Sequence, residues 1–490
     1  MDSQSTKTFP TNGHALELMS EVFLHSTDWH ARAYSYLQKG PVTNHPPLLF
    51  GRVCSRWRQI SLSTPALLGN LVLSEEISTK AFDRNFAALG VFLERSGSYP
   101  LELKFPVDHQ RRHFLGDNWK ASLNRLIPMI IPHFHRWRVI SGVFNQSGAK
   151  MIFSRFPNVP LLETLEIKVR GFYDKEVITI DLSEALPLST LYLPDPLAHF
   201  RFGDSIQHNL RKLGGIKYGQ LCLTLSDCFQ CLAHCPSIEE FIAVIMDHLH
   251  TDLPTAMIEL PNIERFEISC ERVGDISLLF NALHLPAVEG FEFSSRSAST
   301  PLECPWSAIG RMLARSPKLR WLTIHTAPVV AEDLAKCLAH TPDLEYLDLQ
   351  NIPHGNAIIS LLTLPRPSDG NAYVQALCPK LTRFFLDFAG HIDQISATAV
   401  AEMILSRIPI ATGGTYDDGS TVGETHSETS IHHSSQQTLY DVRLGSISKF
   451  TEELLRAQIP ESVTIQVMIV NDTRTGIRLL RNRDHRLSFE

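Results

Sequence analysis

A proline followed at fixed distances by three apolar residues recurs through the middle of this chain, and no other feature restricts its folding as much. Written Pro-x-φ-x-x-φ-x-φ, with φ apolar, the word stands at Pro132 (Phe134, Trp137, Val139), Pro160 (Leu162, Leu165, Ile167) and Pro236 (Ile238, Phe241, Ala243). It returns at Pro261 (Ile263, Phe266, Ile268), Pro286 (Val288, Phe291, Phe293) and Pro317 (Leu319, Leu322, Ile324). Pro342 (Leu344, Leu347, Leu349) and Pro379 (Leu381, Phe384, Leu386) complete the set. Successive prolines are 28, 76, 25, 25, 31, 25 and 37 residues apart. The widest interval holds two degraded copies, near Leu188–Leu193 and Leu210–Ile216.

Cys337–Gln350 shows what one copy must do. Leu347 and Leu349 are two residues apart, so on a strand they share one face, and Leu344 closes the turn before them. Upstream, Glu332–His340 reads as a helix with Leu334, Cys337 and Leu338 at i, i+3 and i+4, and Pro342 prevents its continuation. A helix, a proline break and a short strand cannot bury an apolar face alone, so the copies must stack. A period near 25 with a Leu-x-x-Leu-x-Leu core is the leucine-rich-repeat signature. The fold class expected is therefore α/β: a leucine-rich-repeat solenoid, a horseshoe with parallel strands on its concave face. An α/β domain with coincidentally Leu-rich strands is the competing arrangement.

Around this body the chain divides into a polar leader (1–12), a small all-α piece (13–73), the solenoid (74–410), a loop (411–438) and a terminal repeat or cap (439–490). Within the all-α piece, Leu16–Leu24 reads as an amphipathic helix and 25–47 as a variable loop. Leu48–Leu62 reads as a second helix with Leu49, Val53, Trp57 and Ile60 along one face. Leu101–Phe105 and Trp137–Ile140 read as the first strands of the body, with a helix over Arg111–Ile127 between them. Gly, Ser, Thr, Asp and His dominate 411–438, too polar to order itself, and the expectation there is disorder. A helix (Ile447–Ala457) and a strand (Val463–Val470) follow.

Composition excludes several classes of function. With 43% apolar and 20% charged residues among 490, the chain reads as globular, and a formal charge of −7 argues against general affinity for nucleic acid or anionic membrane. No apolar run is long enough to span a bilayer, and the polar start lacks the pattern of a secretion signal. Nine cysteines, an odd number, suit free thiols in a cytoplasmic or nuclear setting.

Three phrases carry a family likeness: Glu17-Leu-Met-Ser-Glu-Val-Phe, Val53-Cys-Ser-Arg-Trp-Arg-Gln-Ile and Ser63-Thr-Pro-Ala-Leu-Leu. Together they resemble an F-box, in particular the F-box-like proteins with leucine-rich repeats abundant in mushroom-forming fungi. Leu93-Glu-Arg-Ser-Gly-Ser-Tyr-Pro-Leu101 matches a phrase that commonly follows in that group. The resemblance covers about Leu16–Phe105. It implies a receptor that links a protein substrate to a Skp-cullin ubiquitin ligase, with a Skp-type adaptor as partner. The adaptor-binding residues it implies are Leu16, Leu18, Met19, Val22, Phe23, Val53, Cys54, Trp57, Ile60 and Pro65. Two positions depart from the family pattern: His14 and Ala15 stand where Leu-Pro opens it, and Leu68 stands where a Trp is usual. A repeat scaffold without ubiquitin machinery is the alternative function.

Chemistry finds little to build on. Cys228-x2-Cys231-x3-Cys235 has thiolate spacing but no second Cys/His pair, and Cys231 falls where Cys337 does in its sister copy, so packing is expected and no metal. Gly203-Asp-Ser205 and Asp247-x-x-His250 resemble two hydrolase blocks but lie too close together for one. No phosphate-cradling motif is present. The expectation is a non-enzyme without cofactor. Recognition should fall on the side chains between the buried φ positions: Arg136, Arg138, Glu166, Lys168, Arg265, Glu267, Trp321, His325, Tyr346, Asp348, Arg383 and Phe385. Of these, Arg265, Glu267, Trp321, His325, Tyr346, Asp348, Arg383 and Phe385 form the expected partner-binding concave face, for a protein whose identity the sequence does not specify.

Overall fold

The computed structural model describes residues 13–33, 47–73, 79–105, 125–170, 177–193, 197–203, 207–215, 220–247, 256–270, 276–295, 306–327, 329–352, 355–365, 377–387, 396–408, 439–445, 449–460 and 462–468. The polar leader, most of the helix expected at Arg111–Ile127, the 411–438 segment, Ser205 and His250 lie outside these residues. The chain forms two compact units, Met1–Leu344 and Glu345–Glu490. Both are mixed α/β and rest on parallel sheet.

The first unit opens with helices α1 (Gly13–Ala33), α2 (Ser55–Ser63) and α3 (Pro65–Leu68), strand β1 (Asn70–Val72) and helix α4 (Thr79–Arg95). Strands β2 (Leu101–Lys104) and β3 (Trp137–Asn145), helix α5 (Gln146–Phe153), and strands β4 (Thr164–Arg170) and β5 (Val177–Asp181) follow. Then come β6 (Thr190–Tyr192), β7 (Leu197–Arg201), β8 (Lys212–Gly214), β9 (Leu221–Thr224), helix α6 (Leu225–His234) and β10 (Glu240–Asp247). The unit continues through β11 (Ile258–Glu259), β12 (Arg265–Cys270), helix α7 (Ser277–Ala282), β13 (Leu283–His284) and β14 (Gly290–Ser295). Helix α8 (Trp306–Ala314), β15 (Trp321–His325) and helix α9 (Ala331–Leu338) close it.

Its main ladder runs β1-β2-β3-β4-β6-β8-β10-β12-β14-β15, every pairing parallel. Parallel neighbours need a crossover between them, which the helices supply in the later repeats. Between β4 and β10 a second parallel ladder, β5-β7-β9, takes the crossover's place. It rejoins at β10, whose first residues pair with β8 and whose later ones pair with β9. The second ladder was not foreseen. Its strands show the right signal in Ile178, Ile180, Ala198 and Phe200, buried every second residue.

The proline word has a mechanical meaning. In seven copies the proline is the second residue of a turn closed by a main-chain hydrogen bond from the first φ residue to the residue before the proline: Leu162→Val159, Ile238→Cys235, Ile263→Leu260, Val288→Leu285, Leu319→Ser316, Leu344→Thr341 and Leu381→Cys378. Proline presets φ for that place and needs no N–H there. Four residues after each of those prolines a strand begins. The φ residues then meet in register. Phe241, Phe266 and Phe291 stack with ring centroids 5.7 and 6.0 Å apart.

The Pro132 copy is the exception. Register pairs Ile140 with Leu165 and Gly142 with Ile167, so the true word is Trp137-x-x-Ile140-x-Gly142, displaced by three residues from the proline phasing. Gly142 leaves room that Phe105 fills: a Cβ there would lie 2.5 Å from the Phe105 Cβ. Val139, expected as a φ residue, is half-buried, and Arg136, expected outward, is 4% exposed.

Two further expectations are corrected. Helix α1 runs on to Ala33 into the segment expected as loop. The single helix expected over Leu48–Leu62 is broken: Phe50–Arg52 is a 3-10 turn, and α2 starts afresh at Ser55 with the Cys54 Sγ accepting the Trp57 N–H. A thiol is a weak acceptor, yet it occupies the N-cap place where an unpaired amide is obligatory.

In the second unit, β16 (Tyr346–Gln350), helix α10 (Gly355–Leu362), β17 (Arg383–Asp387), helix α11 (Ala397–Ser406), β18 (Asp441–Gly445), helix α12 (Lys449–Gln458) and β19 (Thr464–Met468) alternate strictly. The four strands pair in sequence order, all parallel. Ser396 caps α11 by accepting the Ala399 N–H at 3.3 Å. Arg407, 1% exposed, ends the same helix and donates to the carbonyls of Leu362, Leu377 and Cys378 at 2.7–3.0 Å. Burial lowers its pKa to about 10, still far above neutrality.

Two predictions follow from buried polar groups. Arg407→Met should destabilise the chain by about 3 kcal/mol or more, since three carbonyls lose their donors together; an unchanged urea midpoint would show that water replaces the guanidinium. In the first unit His208 is 3% exposed, with Nε2 unpaired and Phe202 packed between it and His234. Burial and the His234 charge lower its pKa below the ordinary 6.5. The unfolded chain therefore binds the proton more readily, so stability is fully present above pH 6.5 and falls as the solution is acidified below it. His208→Leu should flatten that part of the pH–stability curve, measured by thermal unfolding between about pH 7 and 5.

Candidate protein-binding face

The N-terminal helices make a small core and leave apolar side chains outside it. Phe23, Ile60 and Leu67 are buried, with Met19, Leu24, Phe50 and Trp57 packed around them. Phe23 stacks on Phe50 at 4.4 Å and meets the edge of Trp57 at 4.9 Å. Of the residues the family resemblance assigns to adaptor binding, Phe23 and Ile60 are therefore interior, and Met19 and Trp57 are partly so. Leu18, Val22 and Val53 are 67%, 58% and 60% exposed, and Leu16 and Leu49 are 37% and 39% exposed. Leu18 and Val22 stand four residues apart and share one side of α1. Cys54 and Pro65 are exposed at the starts of α2 and α3.

On the main ladder of the first unit, the side chains between φ positions line up in rows. One row is Glu240, Arg265, Gly290 and Trp321; the next is Glu267, Glu292 and Thr323; a third is Ser269, Ser294 and His325. The expected residues Arg265, Glu267, Trp321 and His325 do gather on this face. Glu267 is nonetheless only 7% exposed, because the Arg265 guanidinium closes over it in an ion pair whose Nε–Oε1 distance is 2.6 Å. Arg265 also reaches toward Glu240, with 3.8 Å between NH1 and Oε1. Glu240 in turn accepts the Tyr192 hydroxyl at 3.2 Å, and burial together with that carboxylate raises the phenol's pKa.

Trp321 is held by an absence. Its ring lies against Gly290, where a Cβ would stand 2.5 Å from Cε3. The Arg265 guanidinium sits 5.8 Å from the ring centroid, within cation–π range.

The second unit has its own row. The Tyr346 hydroxyl and the Gln350 amide both donate to Asp348 Oδ2, at 3.1 and 3.0 Å. Arg383 donates to the Tyr440 hydroxyl at 2.6 Å, and Arg443 pairs with Asp441 at 3.0 Å. Burial and Asp348 raise the pKa of Tyr346, which stays protonated. Asp348 is 7% and Phe385 9% exposed. Phe385 was expected to present an open ring, and that is corrected: it lies in register between Asp348 and Arg443, and the flanking strands cover it. Tyr346 and Arg383 are half-buried.

Glu240, Gly290, Glu292, Thr323, Tyr440 and Arg443 were not singled out from the sequence. Glu292 and Thr323 were within reach of the same alternation, lying between Phe291 and Phe293 and between Leu322 and Ile324. Tyr440 and Arg443 were not, since they need the β17–β18 pairing across the 53 positions between Asp387 and Asp441. The cysteines expected to pack do so: Cys228, Cys231 and Cys235 are 0% exposed in and beside α6. Burial raises all three thiols, Cys235 to about 12, so they remain protonated.

Gly290→Ala should displace the Trp321 ring at a cost of about 1–3 kcal/mol, and acrylamide quenching of tryptophan emission should rise. The same change in a Trp321→Ala background should be nearly neutral; equal costs in both backgrounds would show that the glycine serves some other end.

No protein-family model and no curated protein sequence matches this chain.

Proposed function

We propose that this chain is a non-enzymatic substrate receptor of the F-box type. In this reading the stacked proline–strand units are a leucine-rich-repeat solenoid whose strand face captures a protein. The N-terminal helices dock a Skp-type adaptor and so bring that protein to a cullin ubiquitin ligase, in cytoplasm or nucleus. The observation that carries the reading is the placement of Leu18, Val22 and Val53, each more than half exposed beside a core that Phe23, Ile60 and Leu67 already fill. Apolar side chains left outside a small filled core suit a protein partner. Further support comes from the turn geometry at seven prolines and from the half-buried Trp321 and Tyr346, the aromatic types favoured at binding centres. Among the described residues no helix is long and apolar enough to cross a membrane.

A repeat scaffold without ubiquitin machinery is the second reading, and Leu68 favours it. Where the family has a Trp, Leu68 is 1% exposed and offers nothing to an adaptor.

Co-purification of the intact chain with a Skp-type adaptor separates the two. The receptor reading expects a complex that Leu18→Glu with Val22→Glu weakens by about a hundredfold, two buried anchors being lost, while thermal stability changes little. An intact, folded chain that fails to bind the adaptor leaves only the scaffold.

A further inference from the structure

We infer that the strand face around Trp321 receives a cationic side chain, arginine or lysine, from an exposed segment of the protein partner, with Glu292 and Thr323 accepting its N–H groups beside the Trp321 ring. The inference rests on the protein-binding reading above and specifies the chemistry that the face selects.

Two buried polar groups stand side by side here without hydrogen bonds. Glu292 and Thr323 are register partners on β14 and β15, so their side chains share a face. Thr323 is 1% exposed and its Oγ1 has no hydrogen-bond partner. Glu292 is 8% exposed, and its closest cation, the His325 Nδ1, lies 3.7 Å away and is charged only when protonated. A hydroxyl removed from water and left without a partner is unfavourable, and the largely covered carboxylate beside it makes no hydrogen bond within the protein. A group carrying several N–H donors placed between them would satisfy both.

Charge decides what kind of donor. The patch holds three carboxylates, Glu240, Glu267 and Glu292, against the single guanidinium of Arg265, which is committed to Glu267 and reaches toward Glu240. Glu292 also feels that one guanidinium but makes no hydrogen bond to it, so the patch keeps an excess of negative charge. A neutral donor would leave the patch's excess negative charge unchanged, whereas an ammonium or guanidinium offsets it. The half-buried indole supplies the third element. Its ring lies against Gly290 with the Arg265 guanidinium 5.8 Å from its centroid, and a further cation at the ring is favoured by the quadrupole. An isolated acidic cluster would not discriminate between a metal ion, a solvated surface and a peptide. The unpaired threonine hydroxyl and the fixed aromatic wall select an N–H-bearing organic cation.

The test uses the full-length chain on an array of dodecamer peptides with random flanks and a fixed central residue: arginine, lysine, citrulline, glutamate or leucine. Arginine- or lysine-centred peptides should be retained about tenfold better than citrulline-centred ones, the worth of one charge-assisted hydrogen bond. That preference should fade as salt is raised. Glu292→Gln, which keeps shape, should abolish the preference. Thr323→Val should weaken it about threefold while leaving the unfolding temperature unchanged or higher, because a buried unpaired hydroxyl is removed. If Glu292→Gln does not fold, Thr323→Val decides alone. Equal retention of citrulline- or leucine-centred peptides overturns this inference and leaves the protein-binding reading intact, as it would if ordered water filled the space. A preference that survives both substitutions places the cation elsewhere and also overturns it. No retention of any peptide removes both readings.

Discussion

The proline turn that precedes seven of the strands is the constraint on which most of the sheet depends. A proline at its second place cannot continue a helix, and the turn's closing hydrogen bond aims the chain into the sheet. The residue just before the strand then passes the pattern on. Within the first unit, the Glu163 carbonyl accepts N–H groups from Ser189 and Thr190, Ser189 from Arg211 and Lys212, and Arg211 from Glu239 and Glu240. Glu239, Glu264 and Glu289 continue the same relay, each accepting two amides from the next copy. In the second unit Glu345 and Thr382 do likewise. One carbonyl holding two amides fixes the step between neighbours, and no strand can slip by one residue without breaking its contacts. The stacking of Phe241, Phe266 and Phe291 follows from that step.

Stacked helix–strand units create a second difficulty, which arginine solves. Each helix ends with carbonyls that have no partner within the helix, and stacking removes many of them from water. Arg136 donates to the Leu93 and Tyr99 carbonyls and to Ser96 Oγ beyond α4; Arg315 donates to the Phe280 and Asn281 carbonyls at the end of α7. In the second unit Arg407 does the same beyond α10. Burial lowers the pKa of all three, and at neutral pH all three keep their charge. A guanidinium suits the task because its donors fan out in one plane and reach several carbonyls at once, while the helix C-terminus carries a partial negative charge. Lysine has no such geometry.

What the sequence disclosed was set by which forces act locally. Seven of the eight proline words sit where strands begin, because proline's fixed φ and the two-residue strand period are properties of the nearest few residues. The Pro132 copy was misphased for a reason no local rule contains: the void at Gly142 is filled by Phe105, whose position depends on a neighbouring strand. The β5-β7-β9 ladder carries alternation in its own residues but lacks the proline, so a search for that word passes over it. On the strand face, alternation correctly set Arg265 and Trp321 between the buried positions. It failed for Arg136 and Phe385, since exposure depends on what adjacent strands lay across them. The break between Phe50 and Ser55 was hidden because Cys54 is an unusual N-cap.

These two levels also explain why the face is free to carry chemistry. The φ residues and the carbonyl relay determine the strand positions, so the residues between them are not required for the fold. In the first row they are Glu240, Arg265, Gly290 and Trp321, four side chains with no common property. A structural role would favour repetition, as it does for the phenylalanines one residue further on. The variety instead has internal logic: a glycine where the next strand carries a tryptophan that needs its space, and an arginine where two carboxylates need a counter-charge. Glu292 and Thr323 break that logic, because each is buried and neither has a hydrogen bond within the molecule. Beside a first row whose charges and volumes are matched from within, the unmet Thr323 hydroxyl next to a carboxylate is the feature that the proposed cation from outside would answer.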